Sequence, residues 1–126
     1  MKLPDSCVWI EALVDSTTGR RYLDLLDDAE QLLVPTLVMY EVQRWALRER
    51  NPEAAEGMLA VFRQSRIVPL DDMTAVRGAA QASAHKLAAV DALIYAFALQ
   101  HKAELVSCDA HFKGLPGVDY QAKDAH

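Results

Sequence analysis

One apolar stretch carries a carboxylate that it has little reason to carry. Between Lys86 and Lys102 the chain reads KLAAVDALIYAFALQHK, and Asp91 is the only charged side chain inside it. Leu87, Val90, Ile94, Phe97 and His101 recur at spacings of three and four, the period of one helix face. Alanines with Leu93, Tyr95 and Leu99 fill much of the remaining surface, which predicts a helix from Lys86 buried nearly all round. A carboxylate in such a helix has to be paired, protonated or bound to a metal, because desolvating a lone charge costs too much. Glu104-Leu105-Val106-Ser107 follows as a short buried strand that delivers Asp109 at its C-terminal end.

The chain around this stretch suits a single domain over residues 1–126, with a hydrophobic fraction of 52% that supports a real core. No apolar run reaches the ~18 residues of a membrane span, since Asp91 interrupts the best candidate. The N-terminus meets Asp5 and Glu11 too early for a secretory signal, and two cysteines make no disulfide framework. The expected setting is therefore cytoplasmic and reducing, away from membranes. A net charge of −5 disfavours broad non-specific nucleic-acid binding. It leaves a phosphate substrate open if acids converge on a cation.

In chain order, Met1–Pro4 is a very short first strand, and Asp5-Ser6 precedes a helix over Val8–Leu13. Thr17-Thr18-Gly19 breaks it before a second helix with Tyr22, Leu25 and Leu26. Gln31–Val34 is a strand, and Pro35 opens the helix Thr36–Arg50, which carries Glu41, Arg44, Trp45 and Arg48. A helix over Glu53–Gln64, a strand over Arg66–Leu70 and a helix from Asp71-Asp72 to about Ser83 lead to the central stretch. Val118–Tyr120 is an edge strand. Strands alternating with helices predict an α/β sandwich around a mostly parallel sheet. In such sheets the functional crevice lies beyond the C-terminal strand ends, where Asp5 and Asp109 both sit.

Each acid also has an ordinary use. Asp5 suits a helix N-cap, Asp109 a turn cap, and Glu41 a surface ion-pair set with Arg44 and Arg48. The chemical alternative is that Asp5, Glu41, Asp91 and Asp109 converge. Carboxylate oxygens favour Mg²⁺ or Mn²⁺, and without a cation four crowded acids raise each other's pKa values. Such ions lower the pKa of bound water and stabilise charge on a phosphoryl oxygen. Ser6 and Ser107 stand next to acids and can orient them or hold water. If the acids meet, Cys7 and Cys108 come close as well, either as ordinary buried thiols or as an oxidation-sensitive pair. His85, His101, His111 and His126 show no zinc spacing with the cysteines, which predicts structural or surface roles.

PDSCVWIEAL, VPTLVMYEV, AAVDALIYAFAL and ELVSCDAHFKGLPGV, in this order, resemble the acid-bearing segments of PIN-domain ribonucleases, most closely the VapC toxins of bacterial toxin–antitoxin pairs. The likeness spans almost the whole chain. It implies a three-layer α/β/α fold with a central parallel five-stranded sheet, and Mg²⁺- or Mn²⁺-dependent hydrolysis of RNA phosphodiesters. By position, Asp5 and Asp91 are the implied primary metal ligands, with Glu41 completing the acidic pocket and Asp109 helping to hold metal or water. It further implies an antitoxin partner that blocks the pocket, and a homodimer. Lys2 and Pro4 stand where the family prefers aliphatic residues, and Ser107 where threonine is frequent. The competing classes are a non-catalytic RNA-binding or protein-interaction module on the same fold, and a receiver-like signalling domain. The second lacks the lysine it needs at a late strand end.

Overall fold

Strands of three or four residues leave little room for error in pairing, and two prolines decide how these strands join. The computed structural model describes residues 1–123. Its elements run β1 (Lys2–Pro4), α1 (Ser6–Leu13), α2 (Thr17–Arg20), α3 (Leu23–Asp27), β2 (Leu33–Pro35), α4 (Thr36–Glu49), α5 (Pro52–Phe62), β3 (Arg66–Val68), α6 (Asp72–His85), α7 (Ala89–Gln100), β4 (Glu104–Ser107) and β5 (Val118–Tyr120). Single 3₁₀ turns occupy Ala29–Gln31 and Ala110–Phe112. His126 lies outside the described residues.

All pairing is parallel. The strands form a three-stranded sheet in the order β1-β4-β5 and a two-stranded sheet of β2 and β3. A single bridge between Lys2 and Leu32 links the two. The expected continuous five-stranded sheet is therefore corrected to three plus two. Backbone alternation explains the seam. Asp5 N–H donates to the Val106 carbonyl, so odd residues of β1 face β4, and Lys2 and Pro4 face β2. Arg66 N–H donates to the Leu32 carbonyl, so even residues of β2 face β3, and Leu33 and Pro35 face β1. Extending the seam requires amide hydrogens from Pro4 and Pro35, and proline has none.

Leu105 and Val106 of β4 are both fully buried, although neighbouring strand residues point to opposite faces. Leu105 packs with Leu3, Val38, Val42, Ile94 and Phe97. Val106 packs with Val8 and Tyr22, against which Leu25 and Leu26 sit. Helices therefore cover the three-stranded sheet on both faces. Trp9 meets Phe62 edge-on at 4.9 Å and ties α1 to α5 within the larger core.

Two helical boundaries differ from expectation. Residues 17–20 form a helical turn instead of a break, capped by Ser16 Oγ accepting from Gly19 N–H. Gly19 is required there, because a Cβ would meet the Glu11 carbonyl oxygen at 2.0 Å. The central helix starts at Ala89, not Lys86. Lys86 takes the left-handed conformation (φ 54°) that closes α6, and Ala88 is extended. Val90 and Leu99 are exposed, so α7 is buried on one broad side, not all round. Asp91 consequently lies in the first turn of α7, where unpaired amides and the helix dipole favour a negative charge. No single helix among the described residues is long and apolar enough to cross a membrane; α6 and α7 reach that composition only as a pair bent by 113°.

Candidate active site and metal centre

The C-terminal ends of β1 and β4 lie side by side, and each delivers an acid into the same crevice. Asp5 is 3% exposed and caps α1. Its Oδ1 accepts from the Ser6 amide at 2.8 Å and faces the Ser6 hydroxyl at 3.5 Å. Its Oδ2 accepts from the Ser107 hydroxyl at 2.8 Å, with the Cys7 thiol at 3.6 Å. The Ser107 oxygen in turn accepts from the Asp109 amide at 3.0 Å. One buried hydroxyl thus joins the two strand ends, and the N-cap use of Asp5 coexists with its place in the crevice. The Cys108 amide donates to Cys7 Sγ at 3.2 Å, so the two cysteines meet as the convergence of their neighbours requires; both are free thiols.

Asp91 comes from the opposite side, on the first turn of α7, with its side chain 20% exposed. Asp109 caps the following turn by accepting from the His111 amide at 2.9 Å. That turn places His111 Nδ1 3.3 Å from Asp91 Oδ2 and 3.2 Å from Asp109 Oδ1. Donor atoms of Asp91, Asp109 and His111 all lie within 4.8 Å of one another. His111 is the residue that zinc-spacing rules passed over. The signal available was local: a histidine two residues after a strand-end acid, on a turn that the acid itself caps.

Glu41 enters from α4. One of its carboxylate oxygens, Oε1, is buried with no hydrogen-bond partner among the described residues. The Ser6 hydroxyl beside the carboxylate favours its charged form. Burial first, and then the charges of Asp5, Asp91 and Asp109, push the Glu41 carboxyl above the usual range. Burial likewise raises Asp5, opposed by the Ser107 and Ser6 hydrogen bonds, with Asp91 adding to the rise. Asp91 is raised by burial and by Asp109, and His111 partly offsets this. The four acids therefore sense one another electrostatically. The surface ion-pair set expected for Glu41 does not form: Arg48 pairs with neighbouring Glu49 instead.

The chemistry of this donor set fits a hard divalent cation: oxygen donors predominate, an acid oxygen lacks any partner, and mutual repulsion awaits a positive charge. The sequence matches the PIN domain family over residues 2–118. The chain belongs to the PIN-domain family. A receiver-like domain is thereby set aside. Its fold is similar to a chain of a toxin–antitoxin complex from Klebsiella pneumoniae, at TM-score 0.82 and 22% identity over 94% of this chain and 96% of that one. It is also similar to a chain of VapBC2 from Rickettsia felis bound to a promoter DNA fragment (TM-score 0.74, 17% identity, 98% of each chain). VapC20 of Mycobacterium tuberculosis, a toxin that cleaves the sarcin–ricin loop, resembles it at TM-score 0.68 and 13% identity, over 82% of this chain and 85% of that one. Among curated protein sequences, none matches the chain.

Proposed function

We propose that this PIN domain is a divalent-cation-dependent endoribonuclease and the toxin of a toxin–antitoxin pair. The observation that carries the reading is the cluster of Asp91, Asp109 and His111, with donor atoms within 4.8 Å of one another, beside a Glu41 that feels the charges of Asp5, Asp91 and Asp109. Asp91 and Asp109, grouped with His111 within 4.8 Å, would hold Mg²⁺ or Mn²⁺, and Asp5 and Glu41, outside that group, would complete the acidic pocket around it. When bound, such a cation neutralises phosphate charge and lowers the pKa of water.

The chain's own residues supply the rest. Ser107 fixes the orientation of Asp5 and the position of Asp109 through one hydroxyl. Ser6 orients both Asp5 and Glu41. Glu41, held above the ordinary carboxylate range by burial and unpartnered at Oε1 among the described residues, would take a proton during hydrolysis. Chains of toxin–antitoxin complexes share this fold, which supports an antitoxin partner. We further propose that the antitoxin blocks the acids and that the toxin pairs with a second copy as a homodimer. Residues 1–126 would act as one domain, and the two free thiols suit the cytoplasm.

Purified parent protein is expected to cut RNA with Mg²⁺ or Mn²⁺ and to stop when the cation is chelated. Asp91→Asn is expected to lose at least about a hundredfold in cleavage rate while keeping the parent's circular dichroism. Equal cleavage by the two proteins would overturn the metal-site mechanism. RNA binding without cleavage by the parent would instead favour a non-catalytic module.

A further inference from the structure

A cleft of about 350 Å³ opens beside the acids and shares Ser6 and Glu41 with them. Arg44 and Arg48 line its wall with Tyr40 and Trp45. A second recess continues it along α4 and shares Tyr40, Arg44 and Arg48. The i, i+3 spacing of Glu41 and Arg44 brings them onto one helix face, where an ion pair is the ordinary outcome. That pair is not made. Arg44 has no ion pair among the described residues, and Glu41 Oε1 has no partner either. Arg48 is engaged only with Glu49, at 2.9 Å, and both side chains are about half exposed, a pairing weak enough to exchange. The Arg50 guanidinium, outside the groove lining, stands 5.2 Å from the ring centre of Trp45, which does line it. Tyr40 is 62% exposed, leaving its ring open to a base.

We infer that this α4 groove binds the single-stranded RNA backbone next to the bond to be cut, with Arg44 as the positioning residue on a phosphate. The inference rests on the nuclease reading and names how its substrate is held. Charge decides the occupant. In a chain of net charge −5, a strand reaching the acids carries phosphates that the acids repel. Guanidinium forks bordering the acids meet that charge before it arrives, and among the described residues Glu41 is the sole carboxylate lining the groove.

The test uses full-length protein in two arms. In the cleavage-silent Asp91→Asn background, binding of a labelled random-sequence single-stranded oligoribonucleotide is followed against salt. In the parent background, kcat and KM for cleavage are compared. Arg44→Ala is expected to weaken binding about tenfold and to flatten the log–log salt slope by about 0.7. KM should rise more than kcat falls. Arg44→Lys should restore the slope and only part of the affinity, because a point charge lacks the fork. Tyr40→Ala should weaken binding without changing the slope. Parental binding and slope in Arg44→Ala overturn the inference and leave the groove to a polypeptide. Arg44-dependent binding with no cleavage by the parent supports the groove and overturns the nuclease reading. Cleavage with an unchanged KM in Arg44→Ala does the reverse.

Discussion

The two sides of the acid crevice are built differently. On the β1–β4 side, Asp5 is buried and both its oxygens accept hydrogen bonds from Ser6, Ser107 and Cys7. On the opposite side, Asp91 has an exposed histidine and the Asp109 carboxylate beside it, and Glu41 keeps a buried oxygen that accepts nothing among the described residues. The first side is finished by the fold; the second is completed by whatever binds there. Such an arrangement fixes one acid as a reference and would leave the others to adjust to the proposed cation and substrate.

The largest expected effect separates the sides directly. Asp5→Ala strips the acceptor from the Ser6 amide and the Ser107 hydroxyl. It should lower unfolding free energy by about 2 kcal/mol as well as abolish cleavage. Asp91→Asn should cost cleavage alone. Urea unfolding of both metal-free proteins reads this, and equal stability losses would break the comparison.

Next comes the cation. Asp5, Glu41 and Asp91 are all raised in the folded state, whereas in the unfolded chain they ionise near pH ~4. From about pH 4 up to the raised folded values, the folded protein holds more protons than the unfolded chain. The contribution of these groups to stability therefore falls as pH rises. Mg²⁺ binds their charged forms and reverses the penalty. At about a hundred times its dissociation constant it should add roughly 2.7 kcal/mol near neutral pH, and much less near pH 4.5. Thermal melts across pH, with and without Mg²⁺, test this. A shift that is the same at both pH values, or that survives in Asp91→Asn, would place the cation elsewhere.

Much of this site was legible in the chain, because each acid follows a recognisable element: Asp5 and Asp109 at strand ends, Asp91 within an apolar helix, Glu41 six residues after Pro35. Asp91 does not sit in a helix buried all round. It is tolerated through a helix N-terminus and partial exposure, which a period of 3.6 does not reveal when Lys86 turns left-handed. The split sheet was also written in Pro4 and Pro35. Knowing that both prolines face the same seam requires the register of two neighbouring ladders, and that is set by tertiary packing. The unmade Glu41–Arg44 pair is likewise a fact of side-chain direction, which spacing alone does not fix.

His111 offers the finest test of the open side. Its ring is 72% exposed and buries little, yet its Nδ1 stands within 3.3 Å of both Asp91 and Asp109. Imidazole suits Mn²⁺ better than Mg²⁺, which prefers oxygen and retained waters. If the ring ligates the cation, or steadies the two acids around it, His111→Ala should weaken Mn²⁺ binding by about tenfold and Mg²⁺ binding less. The metal-free melting temperature should stay at the parent value. Calorimetric titration with each ion makes the comparison. Equal affinity for both ions in parent and variant would assign His111 to the surface and leave the carboxylates as the whole of the cation site. A drop in Mn²⁺ affinity without loss of stability would show that a residue the fold does not need is needed by what the fold holds.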